Sequence, residues 1–193
     1  VPGTQGGPCE CLSPSPHYRR PGSLLLFPEF DNREGDVSIV TVTNTDCTGA
    51  AGGQDIDVEF VYIDKNGCSE FNKTETLTPC DTVSLLTNYH NPNTEQGYMY
   101  AFAKDEAGVP VVWNHLIGSL LIVSGLEAFD YGINPVVFRG LGMSNGTEAL
   151  AGSPTDLDGD GHRDLDGREY EPAPDVITIP RFLGQDADTT GGI

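Results

Sequence analysis

The sequence is poor in basic residues. It has 10 Lys plus Arg against 29 Asp plus Glu, which gives a formal net charge of -19 over 193 residues. Nucleic-acid binding needs clustered Lys or Arg against phosphates, and the negative field of this chain would repel a polyanion. The composition therefore argues against nucleic acid as a partner and favours divalent cations.

The sequence also lacks a long apolar run. Its longest apolar stretch, Val109 to Val123, is interrupted by polar side chains and is shorter than the ~18 apolar residues that cross a bilayer. This predicts a chain without a transmembrane segment. Because it begins at Val1 without Met or an apolar leader, we expect a mature chain whose targeting peptide has been removed, although a truncated chain would look the same.

None of the 5 cysteines falls in a C-x-x-C motif, which disfavours zinc ribbons, thioredoxin-like sites and c-type haem. Secretion to the cell exterior or surface is the better interpretation. There, Cys68 and Cys80 form the easiest disulfide, because each lies in a turn beside one short strand. Cys47 could then reach Cys9 or Cys11, and the odd cysteine is either free or bonded to another subunit.

Long helices are not expected, because 24 Gly and 14 Pro favour turns. Short runs rich in Val, Ile, Thr, Tyr and Phe recur between Asn, Asp and Gly, and several alternate with a period of two, as half-buried strands do. The spacing predicts an all-β fold, an antiparallel immunoglobulin-like β-sandwich over 23–140. The predicted strands are Leu24–Phe27, Ser38–Thr43, Ile56–Ile63, Thr82–Thr87, Tyr98–Lys104, Val109–Trp113, Leu116–Val123 and Val136–Phe138.

Two regions flank the predicted sandwich. Residues 1–22 are rich in Pro, Gly and Ser without a hydrophobic period, which predicts an extended N-terminal arm. Residues 141–193 form an acidic region that ends in a short apolar run, Val176–Ile179, and a polar tail. This region is too polar for its own core, so we expect it to pack on the sandwich, bind metal or pair with another chain.

The segment Asp156-Leu157-Asp158-Gly159-Asp160-Gly161-His162-Arg163-Asp164 fits the start of a calcium loop, D-x-D-x-D-G-x-x-D. Alternating carboxylates point to one centre, and the glycine allows the turn that directs a carbonyl inward. Gly167 stands where such loops carry a bidentate acid, so a substitute or a weaker affinity is required. The predicted Ca²⁺ ligands are Asp156, Asp158, Asp160, the carbonyl of His162 and Asp164, with Asp166 or Glu169 as the substitute.

Prolines at 154, 172 and 174 prevent two long helices from framing this loop. The segment resembles the helix-poor calcium loops of dockerin and thrombospondin type-3 repeats. That resemblance implies an extracellular setting, where millimolar calcium saturates weak sites and stiffens the chain. The alternative is an acidic, solvated linker with chance spacing.

The runs DVSIVTVTNT, DVEFVYIDKNGC, TLTPCDTVSLL, EQGYMYAFAKDEAGVPV and HLIGSLLIVSGLEAFDYGINPVVFRG resemble a loose group of secreted bacterial sandwich proteins of unknown function. This resemblance covers roughly residues 30–140. It implies an exported chain and transfers no catalytic residue.

Enzyme signals are weak, and the sequence predicts that the chain is not an enzyme. Gly142 to Gly146 matches G-x-S-x-G, but the antiparallel pattern and the absence of a helix behind the serine argue against a hydrolase. His115 near Asp105 and Glu106 is interpreted as a packed or surface histidine. Carboxylate pairs for glycoside hydrolysis can be chosen arbitrarily among the many acids, for example from Glu59, Asp105, Glu106 or Glu127.

Surface recognition is the second set of possibilities. Tyr62, Tyr98, Tyr100 and Trp113 could form a sugar-stacking platform, but alternating aromatics in strands are more often core residues. Asn72 and Asn145 begin N-glycosylation sequons and are expected in surface turns.

The sequence thus favours a secreted, calcium-stabilised structural subunit of an extracellular assembly, a filament or surface layer that is a homo-oligomer or polymer. Its terminal arms, or the apolar runs Leu24–Phe27 and Val176–Ile179, would add to a neighbour's sheet edge. The alternative is a calcium-dependent binding or adhesion module for a carbohydrate or a cell-surface protein.

Overall fold

The computed structural model describes residues 20–47, 55–125 and 128–177, and within these ranges the chain is almost entirely β. Its elements are β1 (Leu24–Asp31), β2 (Asp36–Asn44), β3 (Ile56–Asp64), β4 (Glu70–Leu77), β5 (Thr82–Leu86), α1 (Thr87–His90), β6 (Gln96–Lys104), β7 (Leu116–Ser124), β8 (Phe129–Ile133) and β9 (Val136–Phe138). No helix of the described residues is long and apolar enough to cross a membrane.

The strands form two antiparallel sheets packed face to face. One sheet has five strands in the order β4-β3-β6-β1-β9, and the other has four in the order β5-β2-β7-β8. The inward residues of both sheets meet in one apolar cluster that includes Phe27, Phe60, Val42, Leu120 and Ile122. This confirms the predicted all-β sandwich.

Strand β6 directs its smaller side chains into the core between the sheets. Met99, Ala101 and Ala103 are fully buried between the sheets, whereas Tyr100 and Phe102 point to the outer face of the five-stranded sheet. The alternation of large and small side chains therefore places the aromatics away from the space between the sheets. They require separate cover on the outer face.

The structure corrects three strand predictions. β4 was expected only as a short strand between Cys68 and Cys80, without bounds, and β8 was not predicted, because β4 carries polar side chains typical of an exposed edge and β8 is short and contains Gly132. The predicted strand Val109–Trp113 makes only isolated bridges, from Pro110 to Lys104 and from Val111 to Pro154. Pro110 has no N–H to donate to a ladder.

The structure also overturns the predicted disulfide. Cys47 bonds to Cys80, and Cys68 is a free, exposed thiol. Cys68 and Cys80 lie at opposite ends of the 8-residue strand β4. An extended strand of that length spans roughly 26 Å, far beyond the reach of a disulfide. Cys9 and Cys11 lie outside the described residues.

The first apolar run is not an interchangeable arm. Leu24–Phe27 belongs to β1, which pairs with β6 on one side and β9 on the other. The prediction that this run adds to a neighbour's sheet is therefore wrong, because both of its edges are occupied. Of the second run, Val176 and Ile177 are exposed, and residues 178–179 lie outside the described residues.

Candidate metal centre

The acidic region folds back onto the five-stranded sheet. After β9, Gly140 bridges to Tyr170, and the Leu141 N–H donates to the Glu169 carbonyl at 2.7 Å. Just before the acidic loop, the Thr155 N–H donates to the Pro110 carbonyl at 2.9 Å. Backbone hydrogen bonds thus anchor both ends of the segment that contains the acidic loop. We call residues 141–171 the covering segment.

The covering segment buries a second apolar cluster on the outer face of the five-stranded sheet. Tyr170 is fully buried, and Leu165 packs beside it. The sheet contributes Leu24, Val61, Ile63, Phe102, Val136 and Phe138. The Thr155 hydroxyl lies 3.1 Å from the Tyr170 phenol oxygen, and burial raises the pKa of Tyr170 to about 12. The phenol is therefore held neutral inside this cluster.

Arg163 closes the cluster from the solvent side. Its guanidinium carbon lies 4.6 Å from the ring centroid of Phe102 and 5.8 Å from that of Tyr100. A cation over aromatic faces is attracted by the ring quadrupoles. The guanidinium of Arg163, which follows the D-x-D-x-D stretch, is thus directed at the aromatic rings of the sheet.

Side-chain-to-backbone hydrogen bonds shape the acidic loop. The two carboxylate oxygens of Asp156 accept the N–H groups of Gly159 at 2.7 Å and Gly161 at 3.0 Å. Both glycines have positive φ, of 77° and 80°, a conformation that L side chains rarely adopt. Asp158 and Asp160 each use one oxygen to accept an N–H two residues ahead. Their second oxygens are not used by these bonds.

Glu169 joins the two ends of the loop. It is 3% exposed, and its carboxylate oxygens accept the Leu157 N–H at 2.6 Å and the Asp164 N–H at 3.2 Å. Its position, directly before the buried Tyr170, carries the carboxylate beneath the loop. Glu169 therefore occupies the place where a substitute for the missing loop acid is needed.

The loop contains two groups of carboxylates that could hold a metal ion. One consists of Asp156, Asp158 and Glu169, and the other of Asp158, Asp160 and Asp164. In each group, one ligand atom per residue lies within 4.8 Å of the others. Asp158 belongs to both groups, so the two describe neighbouring parts of one acidic centre. An all-oxygen donor set suits a hard divalent cation.

Two predicted ligands lie outside these side-chain groups. Asp166 uses one oxygen to accept the Arg168 and Glu169 N–H groups at 2.7 and 3.1 Å, which closes its own turn. Desolvation raises the pKa of this carboxyl, but the two N–H donors and the Arg168 charge outweigh it, so the pKa lies below its usual range. His162 was predicted to contribute its main-chain carbonyl, and its side chain is exposed.

A groove runs beside the acidic centre. It has a volume of about 400 Å³ and is lined by Leu24, Leu26, Tyr100, Phe138 and residues 162–165. One wall is the outer face of the sheet, and the other is the loop itself. The groove therefore shares Asp164 with one of the carboxylate groups.

Of the other residues considered from sequence, Asp105, Glu106 and Trp113 line a separate pocket with a volume of about 650 Å³. Gly142 to Gly146 forms a surface turn in which Ser144 is exposed. His115 packs against the ring of Trp113, with centroids 5.6 Å apart, and Trp113 is 3% exposed. Trp113 and Tyr62 are both buried, so neither belongs to a surface platform for sugars. Glu127 lies outside the described residues.

The two sequons differ in their surroundings. Asn145 lies in an exposed turn, as predicted, and its Oδ1 accepts the Thr147 hydroxyl at 2.7 Å. Asn72 is exposed but lies within β4, so the prediction of a turn there is wrong.

Sequence reasoning missed a buried polar cluster between the sheets. The Tyr62 hydroxyl lies 2.8 Å from His90 Nδ1, and His90 Nε2 lies 3.2 Å from Glu75 Oε1. Burial, aided by the charge of Lys73, lowers the pKa of His90 despite Glu75. No motif could reveal this cluster, because its members come from β3, β4 and α1. Its contacts fasten α1 to the core.

Comparisons with known proteins give little further information. No protein-family model matches the chain, and no curated protein matches it. One solved structure, the crystal structure of Thermotoga maritima 1070, shares 11% sequence identity with a TM-score of 0.44. The match covers 61% of this chain and 95% of that one. At this TM-score it carries no argument, and the resemblances to dockerin-like loops and to immunoglobulin-like secreted proteins gain no support from sequence relatives.

Proposed function

We propose that this protein is a secreted structural subunit of an extracellular assembly, a filament or surface layer, and that Ca²⁺ stabilises it. The observation that carries the proposal is the covering segment, which places an all-oxygen acidic centre directly over an apolar sheet face. A cation bound there would fasten the segment to the sandwich.

Calcium is favoured over other cations by the donor set. Carboxylates supply all the side-chain ligands of both groups. Calcium accepts six to eight such oxygens in flexible geometry, whereas Mg²⁺ requires a near-ideal octahedron and keeps several waters. The exposure of Asp158 and Asp160 suits a weak site that millimolar extracellular calcium would fill.

The disulfide and the free edge strand support the extracellular and assembly parts of the proposal. A structural disulfide such as Cys47–Cys80 is typical of oxidising compartments. β4 ends the five-stranded sheet, and its 8 residues offer a long edge to an added strand. Val176 is 74% exposed near the end of the described residues, and in the sequence it begins the apolar run Val176–Ile179. We propose that the C-terminal arm adds to such an edge of a neighbouring copy.

The test is negative-stain microscopy with light scattering on the full chain, in millimolar calcium and in excess chelator. We expect polymers in calcium that loosen on chelation. Removal of residues 172–193 should abolish the polymers, whereas a Thr74→Ser change on the exposed face of β4 should preserve them. Monodisperse monomers in both conditions, at every concentration tested, would reject the assembly.

The groove beside the acidic centre favours one second candidate, a calcium-dependent binding module. Its wall carries Tyr100 and aliphatic side chains, and calcium at Asp164 would fix the opposite wall. A sugar ring or a short apolar peptide is the class of ligand that such a groove takes. Glycan binding that disappears in chelator and in a Tyr100→Ala variant, on a monomeric chain, would favour this candidate over the assembly.

A further inference from the structure

The outer face of the four-stranded sheet carries no charged side chain along the strands β2, β5 and β7. Strand alternation and the pairing registers place one row of outward residues on each of β2, β5 and β7. These residues are Val37, Ile39, Thr41, Thr43, Thr82, Ser84, Leu86, Ile117, Ser119, Leu121 and Val123. We call this surface the uncharged face. Its first charged neighbour on the sheet is Asp130, on the edge strand β8 and opposite Val123.

The uncharged face has an apolar half and a hydroxyl half. Ile39 lies between Leu86 and Leu121 in the register, and Val37 lies opposite Val123. In the other half, hydroxyls satisfy one another, because Thr41 and Ser84 are 2.9 Å apart, as are Thr43 and Thr82. These four hydroxyls therefore have less need of water as a hydrogen-bond partner.

Nothing in the described part of the chain covers this face. Leu86 and Ile117 are each 40% exposed, Leu121 is 38% exposed and Val123 is 37% exposed. Contiguous exposed apolar surface on a sheet marks an interaction site more often than scattered single residues do. The contrast with the opposite sheet is direct, because Phe102 there is 3% exposed beneath the covering segment.

The net charge of the chain bears on which molecule could cover the uncharged face. With a net charge of -19, two copies repel each other through most of their surfaces. The uncharged face is a surface on which two copies can meet without placing carboxylates opposite carboxylates. A basic partner would instead be expected to select an acidic surface, and the face offers it none.

The area of the uncharged face corresponds to a small protein–protein interface. Strands of up to 9 residues, spaced as in a sheet, give roughly 450 Å² per copy, or about 900 Å² in total. Specific interfaces start near 1,000 Å², so a pair held by this face alone would be weak. Repetition along a polymer would strengthen it through multivalency.

We propose that the uncharged face is a lateral contact between two copies of this chain, formed by the same surface on both. The inference rests on the proposed function, because it supplies a second contact to chains already joined through their arms. A two-fold contact of this kind places Leu121 of each copy near the apolar half of the other.

The test compares two single substitutions in the full chain. Leu121→Lys puts a charge on the uncharged face, and Leu150→Lys makes the same change at a side chain that is 85% exposed and belongs to neither proposed contact surface. Sedimentation velocity over a concentration series should show lateral association at least 10-fold weaker for Leu121→Lys. Leu150→Lys should associate as the unaltered chain does, which controls for the change in net charge.

Two further measurements separate the possible failures. Leu86→Lys lies on the short edge strand β5 and should also weaken association at least 10-fold, and fluorescence of the buried Trp113 reports whether each variant is folded. Removal of residues 172–193 should abolish end-to-end polymers and leave lateral pairs. If folded Leu121→Lys and Leu86→Lys associate normally, or if pairs never form, the lateral contact is overturned. Polymers that persist in that case would leave the proposed function standing.

Discussion

The two outer faces of the sandwich differ in whether their apolar side chains are covered by another part of the chain. On the five-stranded sheet, aromatic side chains point outward and the chain itself covers them with residues 141–171. On the four-stranded sheet, aliphatic side chains point outward and the described chain leaves them in solvent. The same period-two pattern thus produces buried residues on one outer face and exposed residues on the other.

Strand alternation sets the direction in which a side chain points. Whether an outward-pointing side chain is buried depends on whether another segment packs over it. Phe102 and Leu121 both point away from the space between the sheets, yet one is 3% exposed and the other 38%. The covered face owes its burial to contacts between residues more than sixty positions apart, such as Tyr170 with Phe102. The uncharged face would owe its burial to another molecule.

The largest expected effect comes from removing the cover. Tyr170→Ala should destabilise the chain by about 3 kcal/mol, because it deletes a fully buried aromatic side chain and leaves a cavity. Leu121→Ala, the matched change on the uncharged face, should cost less than about 1 kcal/mol in the monomer. Urea unfolding of dilute protein measures both. Equal losses would contradict the comparison.

The second-largest effect is expected at alkaline pH, which should lower the stability contributed by the buried Tyr170. Because the folded-state pKa of Tyr170 is raised to about 12 from the ordinary 10, its contribution is fully present below pH 10 and is lost as pH rises toward 12. The loss should reach about 2 kcal/mol. Tyr170→Phe, compared with the unaltered chain over this range, should remove that part of the slope. An unchanged slope would show that Tyr170 is not buried in solution.

Loss of the carboxylate centre should have a smaller effect. Asp158→Ala combined with Asp160→Ala should abolish the gain from calcium, which is about 1.4 kcal/mol at ten times the dissociation constant. The sandwich should stay folded, because its core does not include these residues. Thermal unfolding with and without calcium measures the gain. Collapse of the whole domain in chelator would contradict this prediction.

The smallest effect is expected at the rim of the covered face. Arg163→Ala should cost about 1 kcal/mol, because the guanidinium lies over the ring of Phe102 and forms no ion pair with a carboxylate of the described residues. Arg163→Lys should recover part of the loss, since an ammonium keeps the charge but lacks the flat stacking group. Denaturant titration at low and high salt measures the free energy of unfolding of both variants.

Much of the sandwich could be predicted from sequence, because apolar alternation marks the paired strands directly. β2, β3, β6 and β7 appear close to their predicted positions. β4 could not be predicted in this way, since its polar residues owe their strand conformation to pairing with β3. The disulfide was mispredicted because the length of β4 was unknown.

The acidic centre was predictable only in part. The D-x-D-x-D spacing identifies Asp156, Asp158 and Asp160 as neighbours, because the turn is local. The position of Glu169 depends on its hydrogen bonds across the loop and on the burial of the next residue, Tyr170. The sequence left packing on the sandwich as one of three possibilities for this region, because an acidic loop rich in Gly and Asp looks the same whether docked or solvated.

The most direct test of the account is hydrogen exchange on the full chain, measured by mass spectrometry in millimolar calcium and in excess chelator. The account predicts that amides of residues 156–170 exchange at least 10-fold more slowly in calcium, while the strands of the four-stranded sheet show no change beyond that caused by association. Exchange over 156–170 that is identical in both conditions would contradict the claim that a cation fastens the covering segment to the sandwich.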